Sequence, residues 1–381
     1  MQVIFLKPAV ISGILCIMFL VSLLVRNPET KRRPDPQLFR YHPIFTDLIT
    51  LRSRYKLQPD EVAFPLAFSL QIYTDIDLAV RLLRAIYRPH NTYCIHVDKK
   101  SLPGYFSTMQ KAAELIGENV FLVPNESRFF VEWGGLSTLE ADIMCSRLLL
   151  AKSRTWKYWI NLTGHEFPLR TNWELVTALK AMNHTNIVIG SLNPREPWRT
   201  PPPTLTKFKV RWSKGTAHVA VRREFVEYVN KNPRATELLE ALRKWESARR
   251  ALTFSDELYF STLNHNPSVF PIPGAYLGPE GSELKNPPIL RHKIWHFDRR
   301  PCGSWEWQRQ ICIFGVDDVP ALKSSVYFFA NKFVADFQPE AYDQMEQWLE
   351  FKVNYEAINN HFHESFRPEI YSELEIASNH L

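Results

Sequence analysis

Glu257 has the setting of an acid–base residue in this chain of 381 residues. It lies in the segment FSDEL (254–258), at the predicted start of an apolar helix for which Ser255 is the predicted N-cap. A carboxylate in a first helical turn complements the helix dipole, and this structural role is one interpretation. The other interpretation is a general base that takes a proton from an attacking hydroxyl group.

Two cations, Arg309 and Lys332, lie beside apolar segments. Arg309 precedes the predicted strand 311–314, and Lys332 follows the aromatic-rich run YFFAN (327–331). A cation held against apolar residues is costly unless it meets an anion. A departing diphosphate is such an anion, and two fixed cations would stabilise its charge as a divalent metal does in other enzymes. Solvation at the surface is the alternative interpretation.

Acidic residues follow two predicted strands. Asp98 ends the buried strand 92–97, where a carboxylate either accepts hydrogen bonds from a nucleoside or caps a turn. Asp75 and Asp77 match a metal-binding D-x-D pattern, but they directly precede a predicted helix, where aspartate is common as a cap. Because histidine and cysteine also lack zinc-like spacing, we expect no metal site.

Alternating strands and helices in the first half of the chain position these residues. This alternation predicts an α/β domain with a mostly parallel sheet. In such sheets ligands bind at the carboxyl ends of the strands, where Asp98 and the loop 164–166 lie. The predicted strands are 64–73, 92–97, 120–123, 158–162 and 311–314, and the predicted helices are 78–87, 136–151, 225–247, one beginning at 254, and 339–359.

Composition limits the classes of function. The chain is 45% hydrophobic, which is ample for a large core, and its formal net charge is +6. The basic residues are scattered and form no stripe interleaved with aromatic residues, so we expect no nucleic-acid partner. An anionic small-molecule substrate and an ordinary solvated surface both fit this charge.

The N-terminus carries a candidate membrane anchor. Residues 9–25 contain no charged side chain and are just long enough to span a bilayer. No small-x-small cleavage site follows, so we predict a signal anchor at 8–25 rather than a cleaved signal peptide. It follows a cytosolic tail (1–7) and precedes a stem rich in proline and basic residues (26–60) and a catalytic domain (61–381). Flanking charges alone would leave that domain in the cytosol.

Glycosylation sequons and cysteines favour a lumenal domain instead. Sequons occur at Asn125, Asn161 and Asn183, and we expect use of Asn125 and Asn183, because Asn161 falls in a buried strand. An even number of cysteines lies outside the predicted span, which allows three pairings or four free thiols. These cysteines are Cys94, Cys145, Cys302 and Cys312.

Several blocks between residues 64 and 352 resemble the core-2/I-branching β-1,6-N-acetylglucosaminyltransferase family, whose wider relatives include the peptide O-xylosyltransferases. The resemblance implies a GT-A-type fold, one membrane span, a Golgi-lumenal catalytic domain and catalysis without a metal cofactor. In chain order, the blocks are FPLAFSLQIY with RLLRAIYRPHNTYCIHVDKKS, WKYWINLTGHEFPLRTNWELV, KGTAHVAVRREFVEYV, FSDELYFSTL, and QICIFGVDD with FFANKF.

The resemblance also implies roles for individual residues. Glu257 matches the family's catalytic carboxylate, Arg309 and Lys332 match its diphosphate-binding cations, and Asp98 matches a nucleotide contact. We add Gln71, in the first block, to the expected UDP-sugar contacts. The disulfides that the resemblance implies are Cys94–Cys145 and Cys302–Cys312.

The function that follows is inverting transfer of N-acetylglucosamine from UDP-N-acetylglucosamine to a hydroxyl group of a glycan or glycoprotein, as in β-1,6 branching. Two alternatives stay open: transfer of another UDP-sugar, such as xylose, and a catalytically silent glycan-binding protein. The proline-rich segment 191–203 departs from the family pattern and leaves the acceptor open.

Overall fold

The computed structural model describes residues 48–192, 197–249, 252–278 and 289–381. All of them belong to one compact unit, Ile44–Leu381. The predicted cytosolic tail, the signal anchor 8–25 and most of the stem lie outside the described residues. Within the described ranges, no helix has the length and apolar character needed to cross a membrane.

A five-stranded sheet forms the centre of the domain, in the order β3-β2-β1-β4-β6. The first four strands are parallel, and β6 runs antiparallel to β4. Every residue of β2 is buried, as expected of a strand covered on both faces. The strands are β1 (Leu66–Ile72), β2 (Thr92–Val97), β3 (Val120–Leu122), β4 (Tyr158–Thr163), β5 (Glu166–Pro168), β6 (Ala220–Arg222), β7 (Arg291–His292), β8 (Trp307–Gln308), β9 (Ile311–Cys312) and β10 (Phe329–Asn331).

Helices cover this sheet, and the predicted α/β class is confirmed. One predicted helix, 225–247, is instead two helices, because Pro233 cannot continue a helix and starts the second one at its first turn. In the described residues the helices are α1 (Pro59–Val62), α2 (Ile76–Ile86), α3 (Tyr105–Ile116), α4 (Leu136–Lys152), α5 (Asn172–Ala181), α6 (Arg223–Lys231), α7 (Pro233–Arg249), α8 (Ser255–Asn264), α9 (Val319–Lys323), α10 (Pro339–Asn359) and α11 (Glu369–Ser372).

A second, three-stranded sheet has the order β5-β10-β7, with β10 antiparallel to β5 and parallel to β7. Three polar side chains meet inside it. Arg291 Nε lies 3.0 Å from Glu166 Oε2, and Asn331 Nδ2 donates to Glu166 Oε1 at 2.9 Å. Arg291 also donates to the backbone oxygen of Asn161 in β4. This buried ion pair therefore ties the small sheet to the central one.

The cysteines differ in part from the pairing that the resemblance implies. Cys302 and Cys312 form a disulfide. Cys94 and Cys145 are free thiols, so the second expected disulfide is not formed in this structure. Their sulfur atoms are neighbours, but they lie 2.8 Å apart, beyond the length of a covalent S–S bond.

The three sequons differ in exposure. Asn125 and Asn183 have exposed side chains, as glycosylation at these positions requires. Asn161 is buried, and its side-chain nitrogen donates to Asp142 Oδ2 at 2.8 Å. The expectation that Asn161 is inaccessible is confirmed, and use of the other two sequons stays a prediction.

The buried ion pair predicts a stability effect. We expect Glu166→Gln to lower the free energy of unfolding by about 3–5 kcal/mol, because Arg291 stays buried without a carboxylate. Urea denaturation of the purified protein measures this change. The matched control is Glu350→Gln, which removes an exposed partner of Arg54 and should cost no more than about 1 kcal/mol. Equal losses in the two variants would contradict the prediction.

Candidate active site

A cavity of about 580 Å³ brings Glu257 and Arg309 to one place. Aromatic and charged side chains form most of its wall. They include Trp133, Arg199, Lys214, His218, Phe254, Arg291, Lys293, Trp295, Phe297, Asp298, Arg300 and Tyr327. A larger and more open depression, of about 920 Å³, lies elsewhere and contains Asn125 but none of the residues predicted to carry chemistry.

Glu257 lies in the first turn of α8, as predicted, although the N-cap is Phe254 rather than Ser255. Lys214 Nζ lies 3.3 Å from Glu257 Oε2, and Arg199 Nη1 lies 3.9 Å from the same oxygen. Both cations favour the ionised form of the carboxylate, which is the form that a general base needs.

Close backbone packing holds Lys214 beside Glu257. The neighbouring Gly215 donates its N–H to the backbone oxygen of Glu257 at 2.7 Å. A Cβ atom on Gly215 would lie 1.9 Å from the backbone oxygen of Ile189, so a glycine is required here. The segment around Lys214 is therefore fixed against the first turn of α8.

Asp256, the neighbour of Glu257, differs from it in charge. Burial, and then the negative charge of Glu257, raises the pKa of Asp256 to about 7. Its carboxylate accepts a hydrogen bond from the backbone N–H of Glu257 at 3.1 Å. Near neutral pH Asp256 is thus partly protonated.

A row of stacked groups connects the surroundings of Glu257 with Arg309. The Arg199 guanidinium lies 4.2 Å from the centre of the Phe254 ring, and Phe254 meets Trp133 edge to face at 5.0 Å. Arg309 lies 4.8 Å from the centre of the Trp133 ring. The backbone N–H of Phe254 donates to Gly134 at 2.8 Å, which holds this loop on α8. Cation–π contacts of this kind orient the two guanidinium groups.

Arg309 is held at the tip of the β8–β9 hairpin. Its two-residue turn, Arg309-Gln310, has positive φ values of 53° and 65°, as a type I′ turn requires. Asparagine and glycine are the usual residues there, and larger side chains are strained in this region. The backbone N–H of His296 donates to Gln310 at 2.8 Å and helps to hold the turn.

Lys332 lies next to this hairpin, directly after β10. Its ammonium group donates to the side chain of Gln308 in β8. Burial, and then the positive charges of Arg309 and Lys293, lowers the pKa of Lys332 to about 8. The two predicted cations are therefore neighbours whose mutual repulsion a bound anion would relieve.

Comparison with known proteins identifies the family of the chain. The model of the family described as "Branch: Core-2/I-Branching enzyme" matches residues 66–323, more than half of the chain. The chain belongs to the core-2/I-branching enzyme family. As a member of this family it is a glycosyltransferase, and the convergence of Glu257 and Arg309 agrees with an enzyme better than with a binding-only protein.

Two relatives illustrate the similarity. A human β-1,3-galactosyl-O-glycosyl-glycoprotein β-1,6-N-acetylglucosaminyltransferase 3 is 31% identical over 88% of this chain and 81% of its own length. A mouse N-acetyllactosaminide β-1,6-N-acetylglucosaminyltransferase is 33% identical over 80% of this chain and 78% of its own length. The similarity thus extends over most of each protein.

Lys332 is not among the residues that line the cavity of this core-2/I-branching enzyme, and two further predicted UDP-sugar contacts, Asp98 and Gln71, also lie outside it. The carboxylate of Asp98 accepts hydrogen bonds from the backbone N–H groups of Lys100, at 2.9 Å, and Val131, at 3.3 Å. Gln71 donates to the backbone oxygen of Thr138 at 3.0 Å. Both residues lie at the carboxyl ends of their strands, and nucleotide contact by either residue stays a prediction.

The D-x-D pair lies at the start of α2. Asp75 is the N-cap of α2, with a φ of 53°, and its Oδ2 lies 3.6 Å from His165 Nδ1. One cluster in the described part of the chain has metal-ligand types, namely Cys302, Cys312 and Asp318. Its sulfur atoms form the disulfide, and Asp318 accepts backbone hydrogen bonds, so it is not a metal site.

Several residues that line the cavity of this core-2/I-branching enzyme were not predicted from the sequence. Lys214 lies in the block KGTAHV, but its contact with Glu257 depends on how two distant segments pack. Lys293 Nζ lies 3.1 Å from His218 Nε2, and His218 Nδ1 lies 3.5 Å from Glu166 Oε1. His218 lies in the same block, shortly before β6, and Lys293 directly follows β7, but no local pattern reveals that these two segments meet.

Proposed function

We propose that this chain is an inverting glycosyltransferase that moves N-acetylglucosamine from UDP-N-acetylglucosamine to a glycan hydroxyl group, in β-1,6 linkage. Its catalytic domain would be of the GT-A type, lumenal, and anchored in the Golgi membrane by residues 8–25. The observation that carries the proposal is the shared cavity of Glu257 and Arg309, with Lys332 beside Arg309. The names of the similar human and mouse enzymes support the donor and the linkage.

The reaction follows from these positions. Glu257 takes the proton of the acceptor hydroxyl group as its oxygen attacks the anomeric carbon from the face opposite UDP. The new C–O bond forms while the bond to the β-phosphate oxygen breaks, and UDP leaves with the electron pair. Arg309 and Lys332 stabilise the charge that develops on the diphosphate. Orientation of both substrates in one cavity supplies much of the remaining acceleration.

Lys214 and Arg199 position the base in this mechanism. They keep Glu257 ionised before the reaction and fix the direction of its carboxylate. After proton transfer their attraction to Glu257 weakens, which favours the return of the proton to solvent. This arrangement resets the base for the next turnover.

Glu257→Gln tests the base. We expect turnover to fall by about 10²–10⁴-fold, the usual contribution of a general base, because glutamine cannot accept the proton. Affinity for UDP, measured by calorimetry, should stay unchanged. The control Glu373→Gln changes an exposed glutamate and should leave both values at wild-type level. Near-normal turnover of the Glu257 variant would remove this residue from the role.

The lowered pKa of Lys332 predicts that the enzyme uses its donor less well at alkaline pH. Its ammonium form binds the diphosphate, so kcat/KM for UDP-N-acetylglucosamine should fall as pH rises through about 8. Lys332→Arg keeps the charge and should shift this fall to higher pH. The control Lys244→Met, which changes an exposed lysine, should leave this fall at about pH 8. If the fall of kcat/KM at alkaline pH is unchanged in Lys332→Arg, it arises from the titration of another group.

Catalysis by two fixed cations predicts metal independence. We expect full transferase activity in excess EDTA, with no gain on addition of manganese, because Arg309 and Lys332 take the place of a divalent ion. The control is Asp75→Asn, which should leave activity in EDTA unchanged. Loss of activity in EDTA that manganese restores would instead assign Asp75 and Asp77 to a metal site.

A further inference from the structure

The cavity wall carries more positive charge than the donor diphosphate requires. Glu257 faces Lys214 and Arg199, and Arg309 is assigned to the diphosphate with Lys332. Arg300 Nη2 lies 2.9 Å from Asp298 Oδ2, and the buried Arg291 is paired with Glu166. Lys293 differs from these cations, because no carboxylate of the described residues lies within 4.0 Å of its ammonium group.

The partners of Lys293 are neutral groups. Its Nζ lies 3.1 Å from His218 Nε2 and 5.3 Å from the centre of the Trp295 ring. Burial, followed by the positive charges of Lys293 and Arg291, holds the pKa of His218 well below its ordinary value. His218 is therefore an uncharged acceptor. A half-buried ammonium group whose neighbours are neutral gains from an anionic partner.

Lys293 lines the same cavity as Glu257, the proposed base. The charges that favour its protonated form are those of Glu166, Glu257 and Asp256. The same segment carries Trp295 and Phe297, whose rings stack at 5.7 Å and 12°. Phe297 is 66% exposed, so this pair offers a flat apolar surface that a pyranose ring can cover.

We propose that the acceptor of this enzyme is an anionic glycan, with a carboxylate or a sulfate group on a sugar close to the reacting hydroxyl, and that Lys293 binds this group. The inference rests on the proposed function, because it names the substrate class of the same site. Trp295 and Phe297 support the sugar ring, His218 orients the ammonium group, and Glu257 receives the proton. A neutral glycan would leave Lys293 without an anion.

The test compares matched acceptors with the purified full chain and UDP-N-acetylglucosamine. One pair is a disaccharide that ends in glucuronic acid or in glucose, and the other ends in 6-O-sulfated or unmodified galactose. We expect kcat/KM to be roughly 10–100-fold higher for at least one anionic member, the usual worth of a charged hydrogen bond. The pair that shows the preference identifies the anion as carboxylate or sulfate.

Variants assign the preference to Lys293. We expect Lys293→Met to abolish it and Lys293→Arg to retain it, while the affinity for UDP, measured by calorimetry, stays within about twofold of wild type. Lys244→Met, which changes an exposed lysine outside the cavity, is the matched control and should retain the preference. Equal rates within both pairs, or a preference that survives Lys293→Met, would overturn the proposal. An equal loss with all acceptors and a raised KM for the donor would also overturn it, by assigning Lys293 to the diphosphate.

A binding measurement separates this inference from the proposed function. Saturation-transfer NMR with the same glycans, in the absence of donor, reports acceptor recognition without catalysis. Absence of transfer from UDP-N-acetylglucosamine would contradict the proposed function, whereas preferential binding of the anionic glycans that depends on Lys293 would still support the inference. Equal binding of charged and neutral glycans would overturn it.

Discussion

The buried ion pair between Glu166 and Arg291 connects the elements that carry much of the active site. Arg291 belongs to β7, which leads directly to Lys293 and Trp295, and its guanidinium also contacts the backbone of β4. Asn331, the last residue of β10, donates to the same Glu166, and Lys332 follows it. Lys293 and Lys332 thus follow strands that share one anchor. A charge pair excluded from water allows little freedom in how these strands are placed.

The hairpin that carries Arg309 places this charged residue in a strained turn. Two residues with positive φ lie at its tip, although neither is glycine or asparagine. The guanidinium group of Arg309 packs against the ring of Trp133. Trp133 in turn contacts Phe254, at the start of the helix that carries Glu257. The distance between base and cation is therefore set by side-chain stacking across three segments rather than by one rigid element.

Much of this arrangement could be predicted from the sequence, for identifiable reasons. Buried strands such as β2 are rich in apolar residues, and Glu257, Arg309 and Lys332 lie in or beside apolar segments. Helix ends were less predictable: Phe254 caps α8 in a left-handed conformation that no propensity favours, and Pro233 divides a helix that periodicity alone joins. Lys214 and Lys293 could not be found, because their partners come from distant parts of the chain.

The chain from Arg291 through Glu166 and His218 to Lys293 explains why a lysine can persist in the cavity wall. Glu166 is already paired with Arg291, and His218, which contacts both Glu166 and Lys293, is itself uncharged. A carboxylate in place of His218 would pair with Lys293 and remove its attraction for a ligand. A neutral imidazole instead fixes the direction of the ammonium group and leaves its charge uncompensated. A lysine with only a structural role would be stabilised more by a carboxylate in place of His218. This arrangement therefore favours recognition of an external anion.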